Sequence, residues 1–385
     1  MRTRFRRFSL VIVAAIVAAI VPAVVPAVVP AVVRAQRPST PTGVRQLLGA
    51  LADDSMQGRA TGTPGAAMAA RMIAETMRRI GLTPAGDSGF IQHAAVTMDS
   101  TPSPAMRRVQ DGTDSLGRPR FRIERTEGPP VWRVGPRVRA SFADLDTVPA
   151  ARRVQAMNVV GMIKGSDPVL ANEYVLVDAH YDHLGVGRAV NGDSIYNGAD
   201  DDASGTVAVL EIARQFTQGP APKRTVVFMA TTGEERGLLG TRWYIAHPVI
   251  PLERMAANLE IEMIGRPDSL AGGTGRAWLT GYERSTMGDA LAAAGIPIVP
   301  DKRLDQQFFQ RSDNIAFAQA GIPAHTLSSF NLHTDYHRPS DDVSRVDFDH
   351  MAAVINAAAK AARLLTDGPK PEWKPGGRPA APLRP

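Results

Sequence analysis

Residues 173–180 read EYVLVDAH, a short apolar run rich in β-branched side chains that predicts a buried β-strand. Residues 206–216, TVAVLEIARQF, follow with apolar positions at helical spacing, and residues 224–233, RTVVFMATTG, predict a second buried strand. Strands that alternate with helices in this way are typical of a largely parallel sheet whose faces the helices cover. This stretch therefore predicts an α/β fold.

The same alternation continues almost to the carboxyl terminus. Helical patterns at residues 238–247, 285–295 and 347–365 alternate with strand-like runs at residues 256–265 and 322–327. We therefore expect a three-layer α/β/α sandwich with a mixed, largely parallel central sheet.

The amino-terminal half has a less regular pattern. Helical spacing at residues 44–54 and 65–82 predicts two helices, joined by a Gly-rich link, MQGRATGTPG. Residues 93–155 carry many Pro, Ser and Arg, and we expect loops and short strands packed against one face of the sheet. These segments predict one domain over residues 40–366, followed by a Pro-rich tail over residues 367–385 that we expect to be disordered.

The first 35 residues have the three parts of an export signal. A basic segment, MRTRFRR, precedes a long apolar stretch, and a small-residue cleavage site ends at Ala35. We expect residues 1–35 to be removed as a signal peptide, which places the mature protein in the periplasm or outside the cell. The apolar stretch is also long enough to span a membrane, so a retained membrane anchor is the alternative. Pro22, Pro26 and Pro30 disfavour a continuous helix there.

Charge and composition exclude several classes of protein. The net charge of +6 falls to +1 when the five arginines before residue 36 are set aside, so the basic excess does not support a nucleic-acid partner. The chain has no cysteine, which rules out disulfides and thiolate ligands. Any bound metal must therefore be held by His, Asp and Glu side chains.

Acidic and imidazole side chains follow several of the predicted strands. In open α/β sheets, functional sites form at the carboxyl ends of the strands. The side chains in such positions are, in chain order, His180, Asp182, the triplet Asp200–Asp202, Glu234, Glu235, Glu262 and, late in the chain, His337. We expect these groups to meet in one pocket.

Each of these motifs also has an ordinary structural explanation. A His-x-Asp pair is commonly a hydrogen-bonded surface pair, and adjacent glutamates are common at solvated helix starts. The triplet in GADDDASG, residues 198–205, could cap the following helix, and it lacks the spacing of a calcium-binding loop. Glu262 is harder to explain, because it lies in an apolar run where an unpaired carboxylate is costly. Taken together and in order, the motifs predict a metal site.

The ligand types suit zinc. Two histidines with three carboxylates and no sulfur fit Zn²⁺, and this excess of carboxylates suits two ions better than one. Two-metal hydrolases commonly share one carboxylate between cations about 3.5–4 Å apart. We therefore expect one aspartate of the triplet to bridge two metals.

The ordered motifs resemble those of the co-catalytic two-zinc exopeptidases, which include secreted bacterial leucyl aminopeptidases, aminopeptidase Y and plasma glutamate carboxypeptidase. The motifs are H-x-D, G-A-D-D-x-A-S-G, G-E-E-x-G-L-x-G, S-D and Y-H-x-P-S-D, and the resemblance extends from LADDSMQGRATGTPG to DHMAAVINAAAKAARLL. It implies a zinc-exopeptidase fold, two zinc ions or other divalent ions such as cobalt or manganese, and peptide substrates with a free amino terminus.

By this resemblance, His180 and Glu262 would bind the first zinc, Glu235 and His337 the second, and Asp201 would bridge both. The family usually has Asp at the position of Glu262, so this ligand reaches one methylene further. The resemblance also implies a cis peptide bond after Asp201.

Some neighbouring side chains stay outside this ligand set. Asp200 and Asp202 match no ligand position, and His333 is the reserve for His337 within HTDYHRPSD. Family members usually read S-D-H where this chain ends the motif with Asn314. We expect the remaining histidines near the motifs to be structural or exposed: His183, His247, His325 and His350.

The resemblance also implies roles in the chemistry. Glu234 would be the general base, which takes a proton from the attacking water and passes it to the leaving amine. Asp182 would orient the ring of His180. Tyr336 would donate a hydrogen bond to the developing oxyanion, and Arg311 would contact the substrate.

The sequence therefore predicts a secreted zinc-dependent aminopeptidase that hydrolyses amino-terminal residues from peptides. A carboxypeptidase or dipeptidase on the same scaffold and a one-zinc glutaminyl cyclase are the alternatives among enzymes. An inactive binding ectodomain is the alternative outside enzymes, although the base and the ligand set are complete here. No nucleic-acid partner is expected, and membrane contact is expected only if the leader is retained.

Overall fold

Strand β7, Tyr174–His180, lies near the middle of a ten-stranded sheet that organises the domain. The computed structural model describes residues 37–113, 117 and 119–380 of the chain. Within these residues the predicted α/β class is confirmed, and every helix and strand expected beyond residue 156 is present.

The described residues form fourteen strands and seven α-helices. The strands are β1 (Thr83–Pro84), β2 (Ile91–Ser103), β3 (Met106–Thr113), β4 (Pro119–Arg125), β5 (Val131–Val138), β6 (Arg153–Ile163), β7 (Tyr174–His180), β8 (Gly185–Val190), β9 (Asp193–Tyr196), β10 (Thr225–Thr231), β11 (Met255–Ile261), β12 (Ala277–Leu279), β13 (Ile298–Pro300) and β14 (Ala324–Ser328). The helices are α1 (Pro41–Leu51), α2 (Pro64–Arg79), α3 (Gly205–Gln218), α4 (Leu239–Ala246), α5 (Thr286–Ala293), α6 (Asn314–Ala320) and α7 (Phe348–Asp367).

The large sheet runs in the order β13-β12-β14-β11-β7-β10-β6-β2-β5, with the short β1 paired beside β6. Its centre is parallel, because β7 pairs in parallel with β10 and β11, and β11 with β14. The side formed by β6, β2 and β5 is antiparallel. Two further pairs, β3–β4 and β8–β9, form separate two-stranded sheets. The sheet is therefore mixed, as expected, with parallel strands at its centre.

Successive side chains of β7 point to opposite faces of the sheet and enter two different cores. Val175, Val177 and Ala179 pack in the larger core, which also contains buried residues of α1, α2, α3 and α7. Tyr174 and Leu176 pack in a second core with residues of α4 and α6. The run is apolar on both faces because helices cover both faces, which is the three-layer arrangement that the sequence predicts.

Residues 93–155 are more regular than expected. Strands β2 and β5 extend the large sheet, and β3 and β4 form an antiparallel hairpin. Ala94, Ala95 and Val96 of β2 are buried in a small core with Trp243 of α4. The expectation of loops and short strands is therefore wrong for β2. Its partner on the sheet edge, β5, is largely exposed, so β5 needs no continuous apolar run that a pattern search would find.

The Pro-rich tail is also more ordered than expected. Trp373 packs beside Phe309 and His325, and its Nε1 donates to the Gly321 carbonyl at 2.9 Å. The expectation of disorder for residues 367–385 is therefore wrong up to residue 380, where the described residues end. Trp373 alone supplies this apolar contact, and one aromatic residue does not stand out in a segment rich in Pro and Gly.

No helix within residues 37–113 and 119–380 is long and apolar enough to cross a membrane. The predicted signal peptide and its cleavage site lie outside the described residues. The retained anchor concerns the same segment, so both alternatives stay predictions.

Candidate metal centre

Three neighbouring strands end at the same level of the sheet. Thr231 at the end of β10 pairs with His180 at the end of β7, and Glu260 of β11 pairs with Asp178. Glu262 follows the last residue of β11 directly. Because parallel strands place their carboxyl ends at one edge, the groups that follow β7, β10 and β11 meet there.

Asp201 lies where the predicted ligands converge. Its Oδ1 is 3.3 Å from His180 Nε2, and its Oδ2 is 3.1 Å from His337 Nε2. His337 Nε2 is also 3.2 Å from Glu235 Oε1. The ligand atoms of His180, Asp201 and Glu262 all lie within 4.8 Å of one another. The structure thus brings the five predicted ligands together. Asp201 lies beside both His180 and Glu262 on one side and beside Glu235 and His337 on the other.

His183 belongs to the same cluster, although we expected it to be structural or exposed. Its Nδ1 is 2.9 Å from Glu235 Oε1 and 3.8 Å from Asp201 Oδ2. Its ring meets that of His337 edge-on, with centroids 5.6 Å apart. His183 therefore places a further imidazole beside Glu235 and Asp201. The clue was the motif HYDHLG, in which a second histidine follows on the loop that leaves β7.

The outer aspartates of the triplet bind the backbone rather than the cluster. Asp202 Oδ1 accepts a hydrogen bond from the Met263 N–H at 2.9 Å, and Asp200 Oδ1 accepts one from the Gly265 N–H at 2.6 Å. Both donors lie within three residues after Glu262 in the chain. These bonds therefore hold the triplet against the segment that carries Glu262.

Asp341, the last residue of the motif YHRPSD, holds the triplet from the other side. Its Oδ2 accepts hydrogen bonds from the N–H groups of Asp200 and Asp201, at 3.1 and 3.0 Å. Arg266 donates to the same carboxylate at 3.3 Å. The peptide bond between Asp201 and Asp202 is cis, as the resemblance implies. The late motif is thus bonded to the backbone of the triplet.

His333, the reserve for His337, makes a different contact. Its Nε2 is 2.9 Å from Asp200 Oδ2, and its ring packs edge-on against Phe330 at 5.2 Å between centroids. The structure therefore places His337, and not His333, beside Asp201. The other three histidines that we expected to be structural also have contacts of their own: His247 with Trp243, His325 with Ser285 and His350 with Ser329.

Asp182 supports the site by a route that the motif did not reveal. His180 Nδ1 lies 3.0 Å from the Asp182 carbonyl oxygen, whereas the nearest carboxylate oxygen is 3.8 Å away. The carboxylate instead accepts from the Thr61 hydroxyl and from the Glu234 N–H, each at 3.2 Å. The backbone of Asp182 thus orients the His180 ring, and its side chain holds the Glu234 backbone.

Several buried polar atoms of the cluster lie close to one another but form no hydrogen bond of suitable geometry within the described residues. They include His180 Nε2, Asp201 Oδ2, Glu235 Oε1 and both ring nitrogens of His183. Leaving such an atom unpaired costs about 1–3 kcal/mol, and a bound cation would satisfy several of them at once. Imidazole nitrogen and carboxylate oxygen are the ligands that zinc takes where no thiolate is present. The residues therefore fit a metal.

Burial and neighbouring charged groups shift the pKa values of the carboxyl groups in the cluster. Burial opposes ionisation of Asp201, but three neighbouring imidazole rings hold the pKa of its carboxyl well below the usual range. Burial and the nearby Glu260 raise the pKa of Glu262 to about 8. Burial also raises the pKa of Glu234 well above the usual range. A raised pKa gives Glu234 the proton affinity that a general base needs near neutral pH.

Tyr336 and Arg311 border one cavity, which Glu262 also lines. The Tyr336 ring stacks on His337 with centroids 3.9 Å apart. The Arg311 guanidinium lies 5.0 Å from the centre of the Phe308 ring, a neighbour on the cavity wall. The two residues expected to act on the substrate thus share a cavity with a predicted metal ligand.

A buried hydrogen-bond network beneath the cluster was missed by sequence reasoning. Glu260 accepts hydrogen bonds from the hydroxyls of Ser312 and Thr326 and from the backbone N–H groups of Asp313 and Asn314. This one carboxylate therefore fastens the start of α6 to β11. The signal was a second glutamate inside the apolar run AANLEIE.

Residues 158–362, just over half of the chain, match the family described as Peptidase family M28. The chain belongs to peptidase family M28. The matched segment contains every predicted metal ligand, from His180 to His337. It does not include residues 37–157, so the M28 match leaves the role of α1, α2 and the segment between them undescribed.

Curated relatives of this M28 chain include a probable leucine aminopeptidase 2 of Aspergillus oryzae, 28% identical over 233 residues, which cover 54% of this chain and 44% of that protein. A vacuolar membrane protease of Botryotinia fuckeliana is 26% identical over 211 residues, which cover 54% of this chain and 18% of that protein. The chain thus spans less than half the length of these relatives. A solved zinc aminopeptidase from Bacillus subtilis has the same fold, with a TM-score of 0.58 and 16% identity over 86% of this chain and 96% of that protein.

We predict that His337→Ala weakens zinc binding by at least the roughly 10–100-fold that loss of an outer-shell partner causes, because it removes a predicted ligand, whereas His333→Ala leaves zinc affinity nearly unchanged. Competition with a chromogenic chelator measures both dissociation constants. His333→Ala is the matched control, since it removes an imidazole that contacts the same triplet. Equal weakening in the two variants would contradict the assignment.

Proposed function

We propose that this M28 chain is a zinc-dependent aminopeptidase that removes amino-terminal residues from peptides at a two-metal centre. The observation that carries the proposal is the position of Asp201, whose two carboxylate oxygens face two different imidazoles. One carboxylate shared between two cations is the arrangement of two-metal hydrolases. Membership of a peptidase family and the name of the Aspergillus relative, a probable leucine aminopeptidase, support the same activity.

In the proposed centre, one zinc is held by His180 and Glu262 and the other by Glu235 and His337, with Asp201 shared between them. The support is the clustering of these ligand atoms and the buried atoms among them that form no hydrogen bond of suitable geometry. The same nitrogen and oxygen ligands also bind cobalt or manganese, so the proposed site takes these divalent ions as well as zinc.

Glu234 is the proposed general base. Zinc, when bound, would lower the pKa of the attacking water and polarise the scissile carbonyl. Glu234 would take the proton from that water and deliver it to the leaving amine. Asp182 keeps this residue in place, because its carboxylate accepts the Glu234 N–H at 3.2 Å. The raised pKa of Glu234, caused by burial, suits both halves of the transfer.

Tyr336 is the proposed donor to the developing oxyanion. Its ring is held between His337, at 3.9 Å, and Phe330, at 5.2 Å between centroids. Burial raises the pKa of Tyr336 above its usual range, so the hydroxyl stays protonated and can donate a hydrogen bond to the oxyanion. Arg311, which borders the same cavity, would contact the substrate.

We also propose that the protein acts outside the cytoplasm, in the periplasm or beyond the cell. The support is the amino-terminal sequence, with its basic segment, apolar stretch and cleavage site at Ala35. Amino-terminal sequencing of the purified protein tests this, since cleavage leaves Gln36 as the first residue. An intact leader recovered in the membrane fraction would favour the retained anchor, and the Botryotinia relative is named as a membrane protease.

A substrate screen tests the proposed activity. Aminoacyl chromogenic amides and free peptides are compared with their N-acetylated forms, with and without a zinc chelator. We expect hydrolysis of the free forms only, loss of activity with the chelator, and about two zinc ions per chain by elemental analysis.

Other outcomes of the screen identify the alternatives. Hydrolysis of blocked peptides would indicate a carboxypeptidase. One zinc per chain with cyclisation of amino-terminal glutamine would indicate a glutaminyl cyclase. Bound zinc without turnover of any peptide would indicate a binding ectodomain.

We predict that Glu234→Gln keeps bound zinc but lowers kcat by about 10²–10⁴-fold, because the amide cannot accept the proton. Glu283→Gln, at a glutamate whose side chain is 69% exposed, is the control and should keep parental kcat. Steady-state kinetics and metal analysis are measured on the same samples. A Glu234→Gln enzyme as fast as the parent would show that the base is another residue.

A further inference from the structure

Residues 57–59 have an unusual backbone. Gln57, Gly58 and Arg59 all lie in the left-handed region, with φ of 50°, 63° and 54°. That conformation costs a non-glycine residue about 1–2 kcal/mol, and such residues cluster at functional sites. The segment MQGRATG therefore does more than link α1 to α2.

Gly58 brings the backbone of this turn into close contact with the β8–β9 hairpin. A Cβ atom at Gly58 would lie 2.4 Å from the Tyr196 carbonyl oxygen and 2.7 Å from the Gly185 carbonyl oxygen. Only glycine permits so close an approach of the two backbones. The position of the turn relative to the hairpin is therefore set by main-chain contact.

The turn directs the Arg59 side chain into the interior, where it is fully buried. Its Nε donates to the Tyr181 carbonyl at 2.7 Å, and its Nη2 donates to the Gly198 carbonyl at 2.9 Å. Its Nη1 donates to the carbonyls of Leu51 and Asn197, at 3.0 and 2.6 Å. One guanidinium thus makes four hydrogen bonds, and all four acceptors are main-chain carbonyls.

Two of these acceptors lie in loops that adjoin proposed metal ligands. Tyr181 follows His180 directly, and Gly198 lies three residues before Asp201. The loops leave different elements, and the planar guanidinium with its fixed fork of donors joins them at a set spacing. A lysine ammonium is a compact charge with three donors and cannot reproduce this fork.

Arg59 also places a positive charge near the crowded carboxylates. Burial lowers the pKa of its guanidinium to about 10, which leaves it charged at neutral pH. Asp182, Asp341, Asp201 and Asp202 favour the charged form through space. The residue therefore offsets repulsion between acidic groups as well as joining their loops.

We infer that Arg59 is a positioning residue, which holds the loops that adjoin His180 and Asp201 at the spacing that the metal pair requires. The inference rests on the proposed two-metal function. Thr61 acts in the same direction, since its hydroxyl donates to Asp182 Oδ2 at 3.2 Å. One short segment outside the M28-matched residues thus contacts the parts of the chain that carry His180, Asp182 and Asp201.

Arg224 provides a matched control. It is 3% exposed, and its guanidinium donates to the Glu173 carboxylate and to the carbonyls of Leu365 and Gly368. It directly precedes β10, so it lies at the opposite end of that strand from the metal cluster. Replacing it removes a buried, hydrogen-bonded arginine without touching the proposed site.

The experiment compares Arg59→Met and Arg59→Lys with Arg224→Met and Arg224→Lys. We expect both Arg59 variants to raise the zinc dissociation constant of the apo protein by about 10–100-fold, as loss of outer support does in metal sites. At saturating zinc, kcat should fall with little change in KM. The Arg224 variants should lower Tm to a similar extent but keep the parental zinc affinity. Chelator competition, thermal unfolding and steady-state kinetics supply these readouts.

A folded Arg59 variant with parental zinc affinity, or equal shifts for Arg59 and Arg224, would overturn the inference. Failure of both Arg59 variants to fold even with zinc would also overturn it, because Arg59 would then be a general structural residue. A parent protein that binds no zinc would instead overturn the proposed function, so the two failures are distinguishable.

Discussion

The crowding of acidic groups around Asp201 is the constraint that shapes this end of the sheet. The triplet shares a small region with Glu235 and Glu262, where like charges repel and burial disfavours the ionised form. Backbone N–H groups bind the outer aspartates, imidazole rings surround the middle one, and Arg59 adds a buried positive charge. After these contacts are made, some buried ligand atoms still form no hydrogen bond of suitable geometry, which is the property expected of a cation site.

Much of this arrangement could be predicted from the sequence, because it follows from local patterns. The run EYVLVDAH is apolar on both faces, and that alone identifies a covered central strand. Parallel strands then bring the residues after their carboxyl ends to one edge, which groups His180, Glu235 and Glu262 without knowledge of their contacts. The ordered motifs distinguish Asp201 from its two neighbours, which no charge argument could do.

The features that were missed depend on contacts between distant segments. Glu260 collects donors from α6 and β14, so its role is visible only once those elements lie beside β11. Strand β2 is buried by a helix more than a hundred residues later, and Trp373 packs on a loop about fifty residues earlier in the chain. Asp182 orients His180 through its carbonyl, a main-chain contact that a side-chain motif cannot encode.

Glu262 lies between the predicted ligand cluster and the neighbouring cavity. Its N–H donates to the Leu327 carbonyl at 3.0 Å, so its backbone continues the pairing of β11. From that fixed point its carboxylate reaches the ligand atoms near Asp201, and the side chain also lines the cavity bordered by Arg311 and Tyr336. The aspartate usual in similar exopeptidases would be one methylene shorter. A single carboxylate thus lies both beside Asp201 and on the wall of that cavity, so the predicted ligand cluster and the cavity meet at Glu262.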